Sequence, residues 1–269
     1  MSNIHHLSMV IVFDLNGTLL DTSAIAPELR RIFGQKVTVD HFMADVLKHS
    51  MATTLAQDYR SFGDLSASVL QMMAAGHGVS PTPAQVEQVR GAMLRMPPFP
   101  DVIPALRRLR KAGLRLAVLT NSSRTSLPQQ LENAGLRAYF DQTLSVESLG
   151  QYKPALDVYR FAADALAVPT SEILMVAAHH WDLLGAARAG CKTAFVKRPR
   201  RALLPHALPP DYLVSNLDEL ANELLEEEAG GCRTCWSIVG AVSLALTVAA
   251  AAAALIPARV RAKRGIQSA

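Results

Sequence analysis

The chain has 269 residues, of which 50% are hydrophobic, 19% charged and 6% aromatic, enough for one large or two modest domains with a buried core. This apolar content, with 15 Gly, 15 Pro and three Cys, excludes a disordered chain, a collagen and a disulfide scaffold. The net charge of +4 comes from five basic residues after position 231; removing them from the total of 27 leaves 22 against 23 acidic residues, which gives no reason to expect nucleic acid as a partner.

Five short apolar runs rich in branched residues have the length of strands that are buried on both faces of a sheet. They cover residues 9–13, 114–119, 173–177, 193–196 and 212–214. Segments with helical spacing lie between them, at residues 102–112, 126–134, 155–166 and 182–189. This alternation predicts an α/β fold, a Rossmann-like doubly wound parallel sheet whose functional groups collect at the carboxyl ends of the strands.

One long segment interrupts the alternation after the first strand. From residue 22 to residue 96 no run is typical of a strand, and the apolar spacing is helical. The Pro-rich residues 96–100 predict a stiff, extended hinge before the sheet pattern resumes. We therefore expect a helical cap domain, residues 22–97, inserted into a core domain formed by residues 1–21 and 98–222.

The C-terminal region carries a different signal. Residues 237–256 form a run of 20 residues without a charge, which as a helix of about 30 Å matches the hydrocarbon core of a membrane. Residues 223–236 form a linker before this candidate transmembrane helix, and residues 257–269 form a basic tail after it. Residues 1–9 lack the features of a secretory signal. The sequence thus predicts a C-terminal apolar helix that anchors a cytoplasm-facing protein to a membrane, with a soluble cytoplasmic protein as the alternative.

Polar residues follow three of the predicted strands. Asp14 comes directly after the first strand, and Thr120 and Asn121 end the next. Asp182 follows the third, and Lys153 precedes a predicted helix. Because the carboxyl ends of parallel strands meet at one edge, we expect these groups to form a single site. Taken alone, Asp14 could also serve only in a turn and a helix cap.

This order of motifs resembles the haloacid dehalogenase-like hydrolases, over about residues 10–218. Their pattern is an Asp nucleophile in a DxxxT motif, a Ser/Thr loop, a Lys and a terminal acidic loop, and Asp14 and Thr18 match the first of these. The type II branch, the L-2-haloacid dehalogenases, is the most similar. Its acidic loop ends in Trp-Asp, as residues 177–182 do here, and a Tyr follows its Lys by six positions, as Tyr159 follows Lys153.

Two positions bear on the choice between a phosphatase and a dehalogenase. Magnesium-dependent phosphatases of this superfamily carry a second Asp where Asn16 stands, and an amide cannot act as a general acid. They also carry a metal-binding Asp that aligns with Ala178, and Mg²⁺ binds poorly without such hard oxygen ligands. The resemblance therefore implies a reaction without metal or cofactor.

The resemblance implies a role for each residue of the site. Asp14 attacks the carbon that bears the halogen, Lys153 keeps Asp14 ionised, and a water positioned by Asp182 and His179 hydrolyses the resulting aspartyl ester. His179 could instead be a loop histidine that only hydrogen-bonds the backbone. The residues expected to contact or enclose the substrate are Asn16, Thr18, Thr120, Asn121, Tyr159 and Trp181.

The match to the dehalogenases has departures. That branch carries Tyr, Ser and Asn where Asn16, Ala177 and His179 stand. It also places a halide-binding Arg in the inserted domain, where the alignment falls at residues 43–45 and has no Arg. The candidates to replace it are Arg30, Lys48 and Arg60. We expect a metal-independent hydrolase of a small 2-haloacid that yields a 2-hydroxy acid; the alternatives are a magnesium-dependent phosphatase of a small metabolite, or a catalytically silent member of the fold. A homodimer is left open.

Overall fold

A parallel sheet forms the centre of the protein in the computed structural model, which describes residues 9–228. Within that range the sheet has six strands in the order β3-β2-β1-β4-β5-β6, and every neighbouring pair is parallel. The strands are β1 (Val10–Phe13), β2 (Arg115–Thr120), β3 (Gln142–Ser145), β4 (Ile173–Ala177), β5 (Lys192–Val196) and β6 (Tyr212–Val214). All residues of β1 and β4 are buried, as expected for central strands covered on both faces.

Nine α-helices occur in the same described range. They are α1 (Ala26–Phe33), α2 (Val39–Leu55), α3 (Phe62–Gly76), α4 (Pro83–Leu94), α5 (Val102–Lys111), α6 (Ser126–Asn133), α7 (Leu156–Leu166), α8 (His180–Arg188) and α9 (Leu217–Glu228). The α/β class and the parallel sheet expected from the sequence are confirmed.

The strand order fixes where a site can form. The chain proceeds from β1 outward through β2 to β3, and then returns to place β4 on the other side of β1. Right-handed crossovers in opposite directions put the connecting helices on opposite faces of the sheet. The crevice between the carboxyl ends of β1 and β4 is therefore the topological switch point, where ligands of such sheets bind.

Two local features differ from the expectations. Strand β3 has the sequence Gln-Thr-Leu-Ser and carries no apolar run, because its outer end is exposed at the sheet edge. Helix α8 begins at His180 rather than at residue 182. His180 and Trp181 consequently belong to the first turn of a helix rather than to a loop.

The segment between β1 and α5 is helical. Thr38 caps α2 by accepting a hydrogen bond from the His41 N–H, and Thr82 forms a capping box at the start of α4. The two ends of this helical segment meet, because the Asp21 N–H donates to the Pro97 carbonyl at 2.8 Å. Residues as far as Leu225 form one compact unit, so the division into cap and core domains stays a prediction.

The predicted C-terminal elements fall largely beyond the structure. The candidate transmembrane helix, residues 237–256, and the basic tail both lie outside the described residues. Helix α9 (Leu217–Glu228) continues past Leu225, the last residue of the compact unit. Among residues 9–228, no helix has both the length and the apolar character that crossing a membrane requires.

Candidate active site

Asp14 lies where β1 ends, at the switch point of the sheet. Its N–H donates to the Val176 carbonyl of β4 at 3.0 Å, so both central strands hold its backbone. Its side chain is buried, and each carboxylate oxygen has a partner. Lys153 Nζ donates to Oδ1 at 3.1 Å, and Thr18 Oγ1 donates to Oδ2 at 2.7 Å. The carboxylate is thus held in one orientation.

Lys153 joins Asp14 to the second acid of the site. Its ammonium also donates to Asp182 Oδ2 at 2.9 Å, and the side chains of Lys153 and Asp182 are fully buried. The Tyr159 hydroxyl lies within hydrogen-bond distance of Asp182 Oδ1 at 2.6 Å and of the Asp182 carbonyl at 2.8 Å. The structure therefore brings together four residues that the sequence placed in one site.

The charges in this cluster shift the pKa values of the two acids in opposite directions. Burial alone would raise the pKa of Asp14, but the Lys153 ammonium and the hydrogen bonds from His179 and Thr18 outweigh it and hold that pKa well below its usual range. For Asp182, burial and the nearby Asp14 charge outweigh Lys153, so its pKa is raised. The pKa of Lys153 is also raised, because the two carboxylates outweigh its burial. Of the two acids, Asp14 is consequently the one that stays ionised to the lower pH.

Close backbone contacts place Lys153. The Lys153-Pro154 peptide bond is cis, and the Lys153 N–H donates to Asn121 Oδ1 at 3.1 Å. Helix α8 packs directly against this segment at Gly185. A Cβ on Gly185 would lie 2.6 Å from the Pro154 carbonyl oxygen and 2.7 Å from a ring carbon of Tyr159. Only glycine allows this approach.

Two residues expected to contact the substrate are buried behind the nucleophile. The Thr18 hydroxyl accepts a hydrogen bond from the Ala178 N–H at 3.0 Å and donates one to Asp14, so protein atoms already use its donor. Tyr159 is buried with its hydroxyl on Asp182. The geometry therefore favours positioning roles for Thr18 and Tyr159 over substrate contact.

The loop after β2 lies beside Asp14, as expected. Its residues Thr120 and Asn121 line a cleft that Asp14 also lines. Thr120 Oγ1 accepts from the Ser122 N–H at 3.1 Å, which tightens the turn. Asn121 uses its side-chain oxygen to hold the Lys153 backbone, so its amide group is the part that can donate to an anionic ligand.

His179 follows β4, on the other side of β1 from this loop in the strand order, and lines the same cleft. Its Nδ1 is 3.2 Å from Asp14 Oδ2, and its ring stacks on Trp181 with centroids 5.4 Å apart. The turn after Asp14 must leave room for the ring. Gly17 has a φ of +81°, and a Cβ there would lie 2.9 Å from His179 Cε1. His179 and Trp181 both line the cleft, as does His180.

The cleft has a volume of about 730 Å³ and lies between these loops and α2. Apolar side chains of α2 form one wall, namely Met43, Leu47, Met51 and Leu55. Of the three candidates for a halide-binding cation, only Lys48 lines the cleft, where it pairs with Asp45. Arg30 and Arg60 are exposed elsewhere.

Two arginines that were not expected from the sequence line the cleft at its mouth. Arg200 Nε lies 2.6 Å from Asp40 Oδ2, and an Arg201 guanidinium nitrogen lies 3.3 Å from Asp40 Oδ1. A signal was present, because a basic run follows β5 at the carboxyl edge of the sheet. The nearby Arg198 is structural: it makes two 2.9 Å bonds to Asp101 and lies 4.2 Å from the centre of the Phe99 ring.

The comparison with protein families agrees with this geometry. A family model described as haloacid dehalogenase-like hydrolase matches residues 9–190, which include Asp14, Lys153 and Asp182. The chain belongs to the haloacid dehalogenase-like hydrolases. In this hydrolase, Asn16 and Ala178 stand at the two positions where the magnesium-dependent phosphatases carry Asp. No group of three His, Cys, Asp or Glu side chains that could hold a metal occurs among residues 9–228.

Individual relatives of this hydrolase are dehalogenases. It is 31% identical to the (S)-2-haloacid dehalogenase of Pseudomonas sp. (strain YL) over 82% of this chain and 95% of the relative. It is 29% identical to the (S)-2-haloacid dehalogenase of Pseudomonas putida over 80% of this chain and 96% of the relative. The solved L-2-haloacid dehalogenase of Xanthobacter autotrophicus with chloropropionic acid covalently bound has a TM-score of 0.72, 25% identity and coverage of 80% and 97% of the two chains. The similarity thus extends over nearly the whole length of each relative.

Proposed function

We propose that this protein hydrolyses the carbon–halogen bond of a small (S)-2-haloacid without a metal ion. The observation that carries the proposal is the buried Lys153 ammonium, which bridges Asp14 and Asp182 and keeps Asp14 ionised at the switch point. The relatives, which are (S)-2-haloacid dehalogenases, support the same reaction class. Asn16 and Ala178 in place of two carboxylates argue against a magnesium-dependent phosphatase.

In the first step, one oxygen of Asp14 attacks the carbon that bears the halogen. A carbon–oxygen bond forms as the carbon–halogen bond breaks, the halide leaves with the bonding electron pair, and the carbon is inverted. Asn121 and backbone N–H groups of its loop bind the substrate carboxylate and set the direction of attack. The product of this step is an ester on Asp14.

In the second step, water attacks the carbonyl carbon of the ester. His179 is better placed than Asp182 to accept the proton, because His179 lies on the cleft wall 3.2 Å from Asp14 whereas Asp182 is fully buried. Asp182 then acts through Lys153 and Tyr159, which it holds in place. As the ester is cleaved, His179 returns this proton to the departing oxygen, so a 2-hydroxy acid is released; the Asp14 carboxyl then loses its proton to solvent and the carboxylate is restored.

A single turnover in heavy-oxygen water tests the nucleophile. With enzyme in excess over L-2-chloropropionate, we expect the label in the Asp14 carboxylate and none in the lactate, because the first product oxygen comes from Asp14. Mass spectrometry of the Asp14 peptide and of the product measures both. Label in the product of the first turnover would mean that water attacks the substrate directly, and the covalent mechanism would be rejected.

Chelation separates the proposed reaction from the phosphatase. We expect chloride release from L-2-chloropropionate to be unchanged in excess EDTA, and phosphate release from a generic phosphomonoester to be negligible with or without magnesium. Activity that disappears with EDTA and returns with magnesium would favour the phosphatase. Absence of both activities in a folded protein would favour a catalytically silent member of the fold.

The C-terminal anchor is a separate part of the proposal, supported by the uncharged run at residues 237–256. We expect the full chain to sediment with membranes and to resist carbonate extraction, while a chain ending at Gly230 is soluble and equally active. Full-length protein found wholly in the soluble fraction contradicts the anchor and leaves the soluble cytoplasmic alternative. The homodimer stays a prediction, which light scattering of the shortened chain can test.

A further inference from the structure

Gln130 of α6 is a buried amide that the mechanism above does not use. It is 2% exposed, and its Nε2 donates to two acceptors that lie far apart in the sequence. One is the Met93 carbonyl of α4 at 3.0 Å, and the other is Asn16 Oδ1 at 3.1 Å. Asn16 in turn lines the cleft two residues after Asp14. Gln130 therefore links the helical segment to the loop that carries the nucleophile.

One carbonyl determines the orientation of both amides. A backbone carbonyl only accepts hydrogen bonds, so the Gln130 atom that faces Met93 must be the nitrogen. The Asn16 atom that faces this nitrogen must then be the acceptor, Oδ1. Asn16 Nδ2 is consequently on the other side, where it donates to Ser122 Oγ at 3.0 Å. Neither amide can turn over alone without placing two donors or two acceptors together.

We propose that Gln130 is a positioning residue, which through Asn16 holds an amide N–H donor in the cleft for the carboxylate of the substrate. One hydrogen of Asn16 Nδ2 is used by Ser122, and the second is available to a ligand. The identity of that ligand group rests on the proposed function. In a back-side attack the halide leaves on the side away from Asp14, so a donor on the Asp14 loop serves the carboxylate rather than the halide.

Two substitutions of nearly equal shape test the orientation. Gln130→Glu places an acceptor opposite Asn16 Oδ1, so Asn16 must turn its nitrogen inward and present its oxygen to the substrate carboxylate. Gln130→Met neither donates nor accepts and leaves the Asn16 orientation unfixed. We expect KM for L-2-chloropropionate to rise about tenfold in the first variant and about threefold in the second, with kcat within about twofold, since a tenfold change is one lost charge-assisted contact.

The matched control is Gln129→Glu. Gln129 is the exposed neighbour on α6 and bonds only within its own helix, to the Thr125 carbonyl. The same charge change there should leave KM and kcat unaltered. Thermal unfolding of all variants checks that each is folded. If Gln130→Glu does not fold, the KM of Gln130→Met alone tests the proposal.

A double-mutant cycle distinguishes positioning from a general packing role. If Gln130 acts through Asn16, Gln130→Glu should have no further effect on KM in an Asn16→Ala background. An equal KM penalty with and without Asn16 overturns the proposal. So does an unchanged KM in a folded Gln130→Met variant of an active enzyme.

Binding of propionate separates this inference from the proposed reaction. Propionate carries the carboxylate but no halogen, and nitrogen-labelled protein reports on the side-chain amide of Asn16 by NMR. We expect propionate to shift the Asn16 amide signals in the wild type and not in Gln130→Glu. Lack of this shift in a wild type that releases chloride rejects the inference alone; a shift without chloride release supports the inference and rejects the reaction.

Discussion

The floor and the mouth of the cleft each contain three charged groups, of which the middle one is opposite in sign to the other two. Their surroundings are very different. The floor is the buried cluster beneath the cleft, in which Lys153 lies between Asp14 and Asp182; of these three, Asp14 is the one that lines the cleft. The mouth is the reverse, with Asp40 between Arg200 and Arg201. The side chain of Arg200 is 66% exposed and that of Asp40 is 34% exposed. The same kind of ion pairing therefore occurs once in the buried interior and once at the solvent-exposed surface.

The comparison shows that burial, rather than pairing, makes a charge chemically useful. On the floor, water cannot replace a missing partner, so the pKa values of both carboxyls depart from their usual values. At the mouth, water and salt screen the charges, and each side chain can exchange partners. Substitutions should therefore have large effects on the floor and small, salt-dependent effects at the mouth.

Removal of the Lys153 charge should have the largest effect. Lys153→Met leaves Asp14 and Asp182 buried without their cation, which should cost about 3–5 kcal/mol of the free energy of unfolding. Chloride release should fall below detection, because protonation of Asp14 then becomes favourable. Urea denaturation and a chloride assay measure the two losses, with the exposed Lys192→Met as control. Near wild-type stability would show that water enters the floor.

Replacement of the cleft-wall histidine should slow the second step. In His179→Ala, the Asp14 ester should still form, but its hydrolysis should slow by about 10²–10⁴-fold, the usual contribution of a general base. Rapid quenching and mass spectrometry should then detect ester on Asp14. His180→Ala, at the next position of the same cleft, is the control. Equal slowing of both steps would assign His179 to orientation of Asp14 instead.

Loss of the Tyr159 hydroxyl should shift the pH profile. The hydrogen bond from Tyr159 lowers the pKa of Asp182, so in Tyr159→Phe that pKa rises further. Activity decreases as the pH falls through the pKa of Asp182, since a protonated carboxyl no longer pairs with Lys153; the acid limb should therefore move to higher pH. Stability should fall by about 1–3 kcal/mol. Tyr139→Phe is the control, and an unmoved acid limb would mean that another group controls it.

Neutralisation at the mouth should have the smallest effect. Asp40→Asn frees the charge of Arg200 and Arg201, so kcat/KM for an anionic substrate should rise a few fold at low salt and return to the wild-type value at high salt. Stability should change by less than about 1 kcal/mol, as is usual for exposed pairs. Asp157→Asn, which removes the exposed pair with Arg160, is the control. A gain that persists at high salt would indicate direct substrate contact.

Local sequence patterns were sufficient to predict five of the six strands described and the two acids of the floor. Asp14 and Asp182 follow continuous apolar runs, which are typical of strands buried on both faces of a sheet. Strand β3 could not be found in this way, because an edge strand needs no continuous apolar run. Arg200 and Arg201 were missed for a related reason: a basic run after a strand is usually a solvated loop, and only the position of α2 turns it toward the cleft.

The sequence by itself determined which groups follow the strands and so reach the carboxyl edge of the sheet, because short-range patterns of apolar and polar residues locate strands and loops. The strand order, and with it the switch point between β1 and β4, came from the tertiary structure. The sequence did not determine which of these groups contact the ligand and which bond only to other protein atoms. Thr18 and Tyr159 were expected to face the substrate, whereas the structure turns their hydroxyls to Asp14 and Asp182. Gln130 showed no signal at all, since its function depends on a carbonyl 37 residues away. Only tertiary packing brings such partners together, and hydrogen-bond geometry at distances near 3 Å then decides which atom faces the ligand.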